Sequence, residues 1–210
     1  MNVMIIPVTS YQQNCSLLIC KKTNKAAVVD PGGDIHHILE AAEEEGVEIE
    51  KIFLTHGHLD HAGGAGELAE KLAVTIEGPH IDDQFLLDDF KQQAVRFGFK
   101  ESKSFTPDRW LIDGDTITFG NIELDVYHCP GHTPGHVIFH QKENHVATVG
   151  DVLFKGSIGR TDFSFGDHDM LIRSIKEKLW PLGNDVQFVP GHGPTSTFGY
   201  ERKTNPYVGD

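Results

Sequence analysis

Five apolar runs in this chain end alike, and that repetition restricts the fold more than any other feature. Each run stops at a polar residue flanked by proline or glycine: Val28-Val29-Asp30-Pro31-Gly32, Ile52-Phe53-Leu54-Thr55-His56-Gly57, Tyr127-His128-Cys129-Pro130-Gly131-His132, Ala147-Thr148-Val149-Gly150-Asp151 and Phe188-Val189-Pro190-Gly191-His192. Short apolar runs bounded by turn residues read as buried strands. Proline and glycine make the tight turns that present a side chain at a strand's end. If these ends share one rim, that rim collects histidines and aspartates from across the whole chain.

The periodicities give the element order. Strand-like runs cover residues 3–8, 16–20 and 26–30. Asp34 opens a helix whose stripe is Ile35, Ile38, Leu39 and Ala42, and Gly46 ends it. A strand over 49–54, a helix over 64–72, a short strand over 74–76 and a helical stretch over 80–97 follow. Strands are expected at 116–119, 122–127, 136–140 and 145–149. Asp167 then caps a helix with Met170, Leu171, Ile175 and Leu179 inward, and 186–189 is the last strong strand. This order predicts an α/β protein, an αββα sandwich of two mixed β-sheets with helices on the outer faces, rather than a doubly wound sheet. No linker-like stretch interrupts the chain, so residues 1–210 are expected to form a single domain.

Thr55-His56-Gly57-His58-Leu59-Asp60-His61 places four candidate ligands within six residues, in a chain with 13 histidines among 210 residues. His56 and His58 are two apart and point the same way on an extended turn. Asp60 and His61 come as the chain turns into a helix, where they can aim at a second point nearby. With His132, Asp151 and His192 the rim would hold five histidines and two carboxylates. That is too many for one tetrahedral zinc and suits two metals. The donors fit zinc first, with iron or manganese also admitted; without thiolate they argue against copper(I) or a closed structural zinc.

Lys+Arg is 18 and Asp+Glu is 31, a net charge of −13. This argues against broad binding to nucleic acid or to an anionic membrane, both of which need a basic face. The start, MNVMIIPVTSYQQN, has no basic n-region, and Pro7 breaks its apolar run, so it does not read as a signal peptide. No stretch reaches the roughly 20 apolar residues of a membrane span. A soluble cytoplasmic protein is expected. Cys15, Cys20 and Cys129 make no disulfide framework and read as buried thiols.

The series His-x-His-x-Asp-His at 56–61, Gly131-His132, Gly150-Asp151 and Gly191-His192-Gly193 resembles the metallo-β-lactamase superfamily, from Asp30 to His192. The resemblance implies that His56, His58 and His132 bind one metal, that Asp60, His61 and His192 bind the other, and that Asp151 bridges them. Asp30 would orient a ligand histidine. Three stretches are similar to the short bacterial type of glyoxalase II, the hydroxyacylglutathione hydrolases. They are His128-Cys129-Pro130-Gly131-His132-Thr133-Pro134-Gly135-His136, Ile158-Gly159-Arg160-Thr161-Asp162-Phe163 and Glu201-Arg202-Lys203-Thr204-Asn205-Pro206-Tyr207. This implies a dinuclear hydrolase of a small anionic thioester, S-D-lactoylglutathione, giving D-lactate and glutathione in methylglyoxal detoxification. A hydroxide between the metals would attack the carbonyl, and Asp60 would accept its proton. Arg160 matches a basic residue that contacts the glutathione moiety in that family, and an ion pair with Asp162 is the equal alternative. One departure is that only 18 residues follow His192, too few for the helical C-terminal domain of typical glyoxalase II.

A persulfide dioxygenase shares this scaffold and the Gly-Arg-Thr-Asp-Phe stretch, with one iron at positions matching His56, His132 and Asp151; a lactonase is a further alternative. The complete second set with Gly191-His192-Gly193 favours the dinuclear hydrolase. A zinc used only for stability would predict a closed four-coordinate site. His128 and His136 flank a ligand and are expected to support it rather than bind metal. His36, His37, His80, His140, His145 and His168 have no ligand spacing. Tyr11 is expected to pack, Phe85–Phe97 to form core or a pocket wall, and Arg202 and Lys203 to lie in a solvated tail.

Overall fold

The computed structural model describes residues 1–99 and 103–210. The first sheet is β1 (Asn2–Val8), β2 (Gln13–Cys20), β3 (Lys25–Val29), β4 (Glu48–Phe53) and β5 (Thr75–Glu77), adjacent in that order. The first three strands are antiparallel, and β3, β4 and β5 run parallel. The second sheet starts with the antiparallel series β6 (Thr116–Phe119), β7 (Ile122–His128), β8 (Val137–Gln141) and β9 (Val146–Gly150). Two-residue strands β10 (Leu153–Phe154) and β11 (Ser157–Ile158) form a separate hairpin. Then β12 (Gln187–Pro190) joins β9 in parallel, and β13 (Ser196–Thr197) completes the edge. The helices are α1 (Ile35–Glu44), α2 (Leu59–Ala62), α3 (Ala65–Leu72), α4 (Gln84–Asp88), α5 (Phe90–Phe97), α6 (His168–Ser174) and α7 (Phe198–Thr204).

Strand alternation creates three apolar layers. In β2, Leu17 and Ile19 face the helices with Ile38, Ala42 and Leu68, while Leu18 and Cys20 face Phe119, Leu124 and Phe139 of the other sheet. On the far side Ile138, Val149 and Phe188 pack on Leu171, Ile175 and Leu179. This is the αββα sandwich with mixed sheets.

Two local expectations are corrected. The stretch 80–97 is not one helix: a 3₁₀ turn Ile81–Asp83 leads into α4, and the chain breaks at Asp89 before α5. The Asp83 side chain is committed to donors in distant loops, described below, rather than to capping this stretch. Asp34 opens α1 as expected, and its carboxylate accepts from the Thr9 amide at 2.8 Å rather than from the helix itself. Arg202 and Lys203 belong to α7, whose Phe198 stacks on Phe188 at 5.5 Å and lies 6.0 Å from Trp180, so the C-terminal segment is packed structure. Asp167 does cap α6, accepting from the Met170 amide at 2.8 Å. All three cysteines are free and buried. No helix among the described residues is long and apolar enough to cross a membrane.

Candidate metal centre

The loops after β3, β4, β7, β9 and β12 meet at one rim, and all seven predicted ligand residues come with them. The ring nitrogens His56 Nε2 and His132 Nε2 stand 3.0 and 3.1 Å from His58 Nδ1. A second cluster joins Asp60, His61 and His192, with His192 Nε2 3.2 Å and His61 Nε2 3.9 Å from Asp60 Oδ2. Asp151 faces both: Oδ1 is 3.3 Å from His61 Nε2, and Oδ2 is 3.6 Å from His132 Nε2.

Hydrogen bonds on the outer side of the rings fix which nitrogen points inward. Thr55 Oγ1 donates to Asp30 Oδ2 (2.6 Å) and accepts from His56 Nδ1 (3.0 Å); His61 Nδ1 donates to the same Asp30 oxygen (2.9 Å). His132 Nδ1 donates to the Arg160 carbonyl (2.8 Å) and His192 Nδ1 to the Tyr11 carbonyl (3.3 Å). In the neutral form of each of these four rings the bond leaves Nε2 as a lone pair aimed inward. Asp30 thus bonds the ring that the family resemblance would have it orient, and Thr55 links it to a second histidine. Gly191 and Gly159 allow this crowding: a Cβ on Gly191 would lie 2.1 Å from Asp151 Oδ1, and one on Gly159 1.9 Å from the Asp151 carbonyl oxygen.

The residues fit two cations. His56 Nε2 and His132 Nε2 both aim at His58 Nδ1 from 3.0 and 3.1 Å, a spacing close to the ligand edge of a tetrahedral zinc site. His61 Nε2 and Asp151 Oδ1 are buried and without a hydrogen-bond partner. Burial and then the His132 field depress the His58 pKa to about 3. Burial also holds His56 and His132 below the usual imidazole value. Burial opposes ionisation of Asp151, but the fields of His61 and His132 outweigh it and hold the carboxyl far below its usual range. Burial likewise opposes charge on His61, while Asp151 and Asp60 outweigh it and raise its pKa well above the usual value. The carboxylates therefore draw positive charge to where the second ion would sit.

Some contributing residues have no signal in the sequence. Asp83 Oδ2 accepts from the Gly57 amide (2.9 Å) and Thr133 Oγ1 (2.8 Å), and Oδ1 accepts from the Gly135 amide (2.6 Å). It ties the 56–61 loop to the 132–136 loop. Gln93 Oε1 accepts from the Leu59 amide at 3.0 Å. His136 stacks on His56 at 4.6 Å, and its Nε2 accepts from the Asp151 amide at 3.0 Å, the supporting place expected of it. Arg160 lies at the rim, but its guanidinium is paired with both oxygens of Asp162 at 2.9 Å and lies over Phe163. A cavity of about 330 Å³ opens above the two clusters, walled by Tyr11, Phe97, Phe99, Phe154 and Phe163. Tyr11 both packs, on Phe99 at 5.0 Å, and reaches the rim.

Comparison with known proteins agrees with this geometry. The family model described as "Metallo-beta-lactamase superfamily" matches residues 8–192. The chain is 44% identical to hydroxyacylglutathione hydrolase GloC of Haemophilus influenzae over 209 residues, 99% of this chain and 98% of that one. It is 30% identical to human mitochondrial persulfide dioxygenase ETHE1, over 90% of this chain and 69% of that one. Among solved structures it superposes on the B3 metallo-beta-lactamase BLEG-1 with a TM-score of 0.91 at 32% identity, covering 99% of both chains. It also superposes on TTHA1623 in a di-iron-bound form with a TM-score of 0.89 at 34% identity, covering 98% of this chain and 100% of that one.

Proposed function

This chain belongs to the metallo-beta-lactamase superfamily, and we propose that it is a dinuclear metallohydrolase of glutathione thioesters, with S-D-lactoylglutathione as its substrate. Residues 1–210 act as a single domain in this reading. His56, His58 and His132 would hold one ion, Asp60, His61 and His192 the other, with Asp151 available to both. The observation that carries it is the Asp151 carboxylate, which faces both histidine clusters, Oδ1 toward His61 and Oδ2 between His132 and His192. The choice of thioester rests on the 44% identity to hydroxyacylglutathione hydrolase over nearly the full length.

Two divalent ions, zinc in this reading, supply a water acidic enough to attack at neutral pH and a Lewis acid for the carbonyl. The protein's own residues do the rest. Asp60 borders the cavity, and although burial opposes its ionisation, the His61 field and the His192 hydrogen bond keep it a carboxylate. It can therefore take the proton that the attacking water gives up. The aromatic walls exclude bulk water and hold the thioester against the rim. A thiolate leaves without needing a proton. The exposed Arg160–Asp162 pair is worth little in water, so a carboxylate of the glutathione moiety can exchange with Asp162 for the guanidinium.

The second reading is the mononuclear persulfide dioxygenase, favoured by the likeness to ETHE1 and by the set His56, His132 and Asp151. One sample decides between them: count metals by elemental analysis, then assay S-D-lactoylglutathione hydrolysis and oxygen uptake with glutathione persulfide. Two ions per chain with thioester turnover, abolished in His58→Ala, are expected. One iron with oxygen uptake and no hydrolysis overturns the proposal.

A further inference from the structure

Apart from the rim, a second group of metal-binding side chains comes together on the outer side of the loop that carries His132. His80, just before the 3₁₀ turn, Asp82 within it and His128 at the end of β7 each offer one ligand atom, and these atoms lie within 4.8 Å of one another. Spacing along the chain hides this group, since His80 and His128 are 48 positions apart. The group shares no residue with the two clusters of the rim.

We propose that His80, Asp82 and His128 form an accessory Zn²⁺ site that clamps the turn at 81–83 to the 128–136 loop. His128 Nε2 donates to the Pro134 carbonyl at 2.8 Å, which places its proton there and leaves Nδ1 as a lone pair, the arrangement that orients a ligand histidine. His80 Nδ1 lies 3.3 Å from both the Asp82 amide and Asp82 Oδ2. A neutral nitrogen can serve one of these neighbours but not both, and both contacts are long for hydrogen bonds. A cation bound by the nitrogen and the carboxylate together removes the conflict. The two rings are stacked at 4.3 Å and 16°, so binding keeps His128 on the Pro134 carbonyl and turns the His80 ring toward the ion. Asp82 is 54% exposed, which gives the carboxylate freedom to close in and the ion a path from solvent.

Two imidazoles and a carboxylate suit zinc, and three protein ligands leave the fourth position to water. The site also has a structural consequence. The His80 amide donates to the Gly135 carbonyl at 3.0 Å, and the neighbouring Asp83 gathers Gly57, Thr133 and Gly135. An ion here therefore reinforces the junction that sets the two ligand loops against each other, without touching the reacting atoms.

The test compares the wild-type holoprotein with His80→Gln and Asp82→Asn after dialysis against buffered Zn²⁺ and gel filtration. We expect each variant to hold one zinc per chain fewer than wild type, to keep its thioester turnover, and to lose the last step of thermal stabilisation seen as zinc is added. Equal zinc in all three proteins overturns the proposal, as does zinc loss accompanied by loss of turnover. The difference of one ion is read whatever the absolute count at the rim. A failure of the dinuclear reading would instead show as a wild-type count or activity at odds with that reading, with the difference between proteins unchanged.

Discussion

At the scale of single residues, Asp83 shows how a side chain can matter to the site without touching it. Burial pushes its carboxyl up to about 6, although Gly57, Thr133 and Gly135 all donate to it. Its folded value lies above the ordinary 3.8, so the stability it contributes is complete below about pH 4 and lost as pH rises through 6. Asp83→Asn removes that titration and turns an NH₂ toward one of three donors, which costs about 1–3 kcal/mol at neutral pH. The gap between wild type and variant should therefore be widest near pH 4 and narrow by up to about 3 kcal/mol by pH 7. Urea unfolding of metal-stripped protein across that range measures it. Arg160 offers a second contrast. If it receives a substrate carboxylate, Arg160→Ala raises KM for S-D-lactoylglutathione several-fold at near-constant kcat, and Asp162→Ala, which frees the guanidinium, lowers KM. Steady-state kinetics on both variants give the answer, and unchanged KM values would return Arg160 to a purely structural pair. The rim residues were legible because a histidine or aspartate after a buried strand has few other reasons to be there. Asp83 was not, because its three donors come from loops 26 to 52 residues away.

At the scale of elements, the pattern that reads best is the one imposed by burial over several turns or pleats. The sheets and α1, α3 and α6 carry that pattern. The parts that went unread are too short to show a period: the β10–β11 hairpin, β13 and α7. Beyond the apolar packing of Leu153, Ile158 and Phe198, polar contacts between distant segments hold them in place. Glu201 is fully buried, accepting from the Gly156 amide (2.8 Å), Ser196 Oγ (2.5 Å) and Asn205 Nδ2 (2.9 Å). Asn205 Nδ2 also reaches the Ser157 carbonyl at 3.0 Å. The Glu201-to-Tyr207 stretch that resembles a family signature is thus a clamp between α7 and the hairpin, and Phe154 of that hairpin lines the cavity. Glu201→Ala strands buried donors and should cost about 3 kcal/mol or more, with a rise in KM as Phe154 loosens. Glu201→Gln keeps the acceptor facing Gly156 and should recover part of the loss. Thermal denaturation of the two variants, with kinetics alongside, tests the link; equal stability in Ala and wild type would refute it.

At the scale of the whole molecule, the sandwich brings the ends of five strands from two sheets to one rim, and the packed layers alone leave that rim electrostatically unsettled. Two carboxylates and five imidazoles converge there, and the fields of the carboxylates already raise His61 and, through Asp60 and Asp151 against the effect of burial, His192. Ions that bind these residues cross-link loops of both sheets, and their binding free energy adds to folding stability: about 4 kcal/mol at a thousandfold excess over Kd, or roughly 10 °C in Tm for a chain of this length. Metal ligands must be unprotonated. Because His61 and His192 hold their protons above the usual imidazole range, protons compete with the second ion even near neutrality. The Tm gap between metal-loaded and chelator-stripped protein should therefore be widest near pH 8.5, smaller at pH 7 and smaller again at pH 6. A His192→Ala variant should show a smaller gap with a flatter pH dependence, since one of the two competing protons is gone. Scanning calorimetry on loaded and stripped samples at the three pH values makes the measurement. A gap that stays constant with pH, or is absent at pH 8.5, would mean that these histidines hold no ion in common with Asp60 and Asp151.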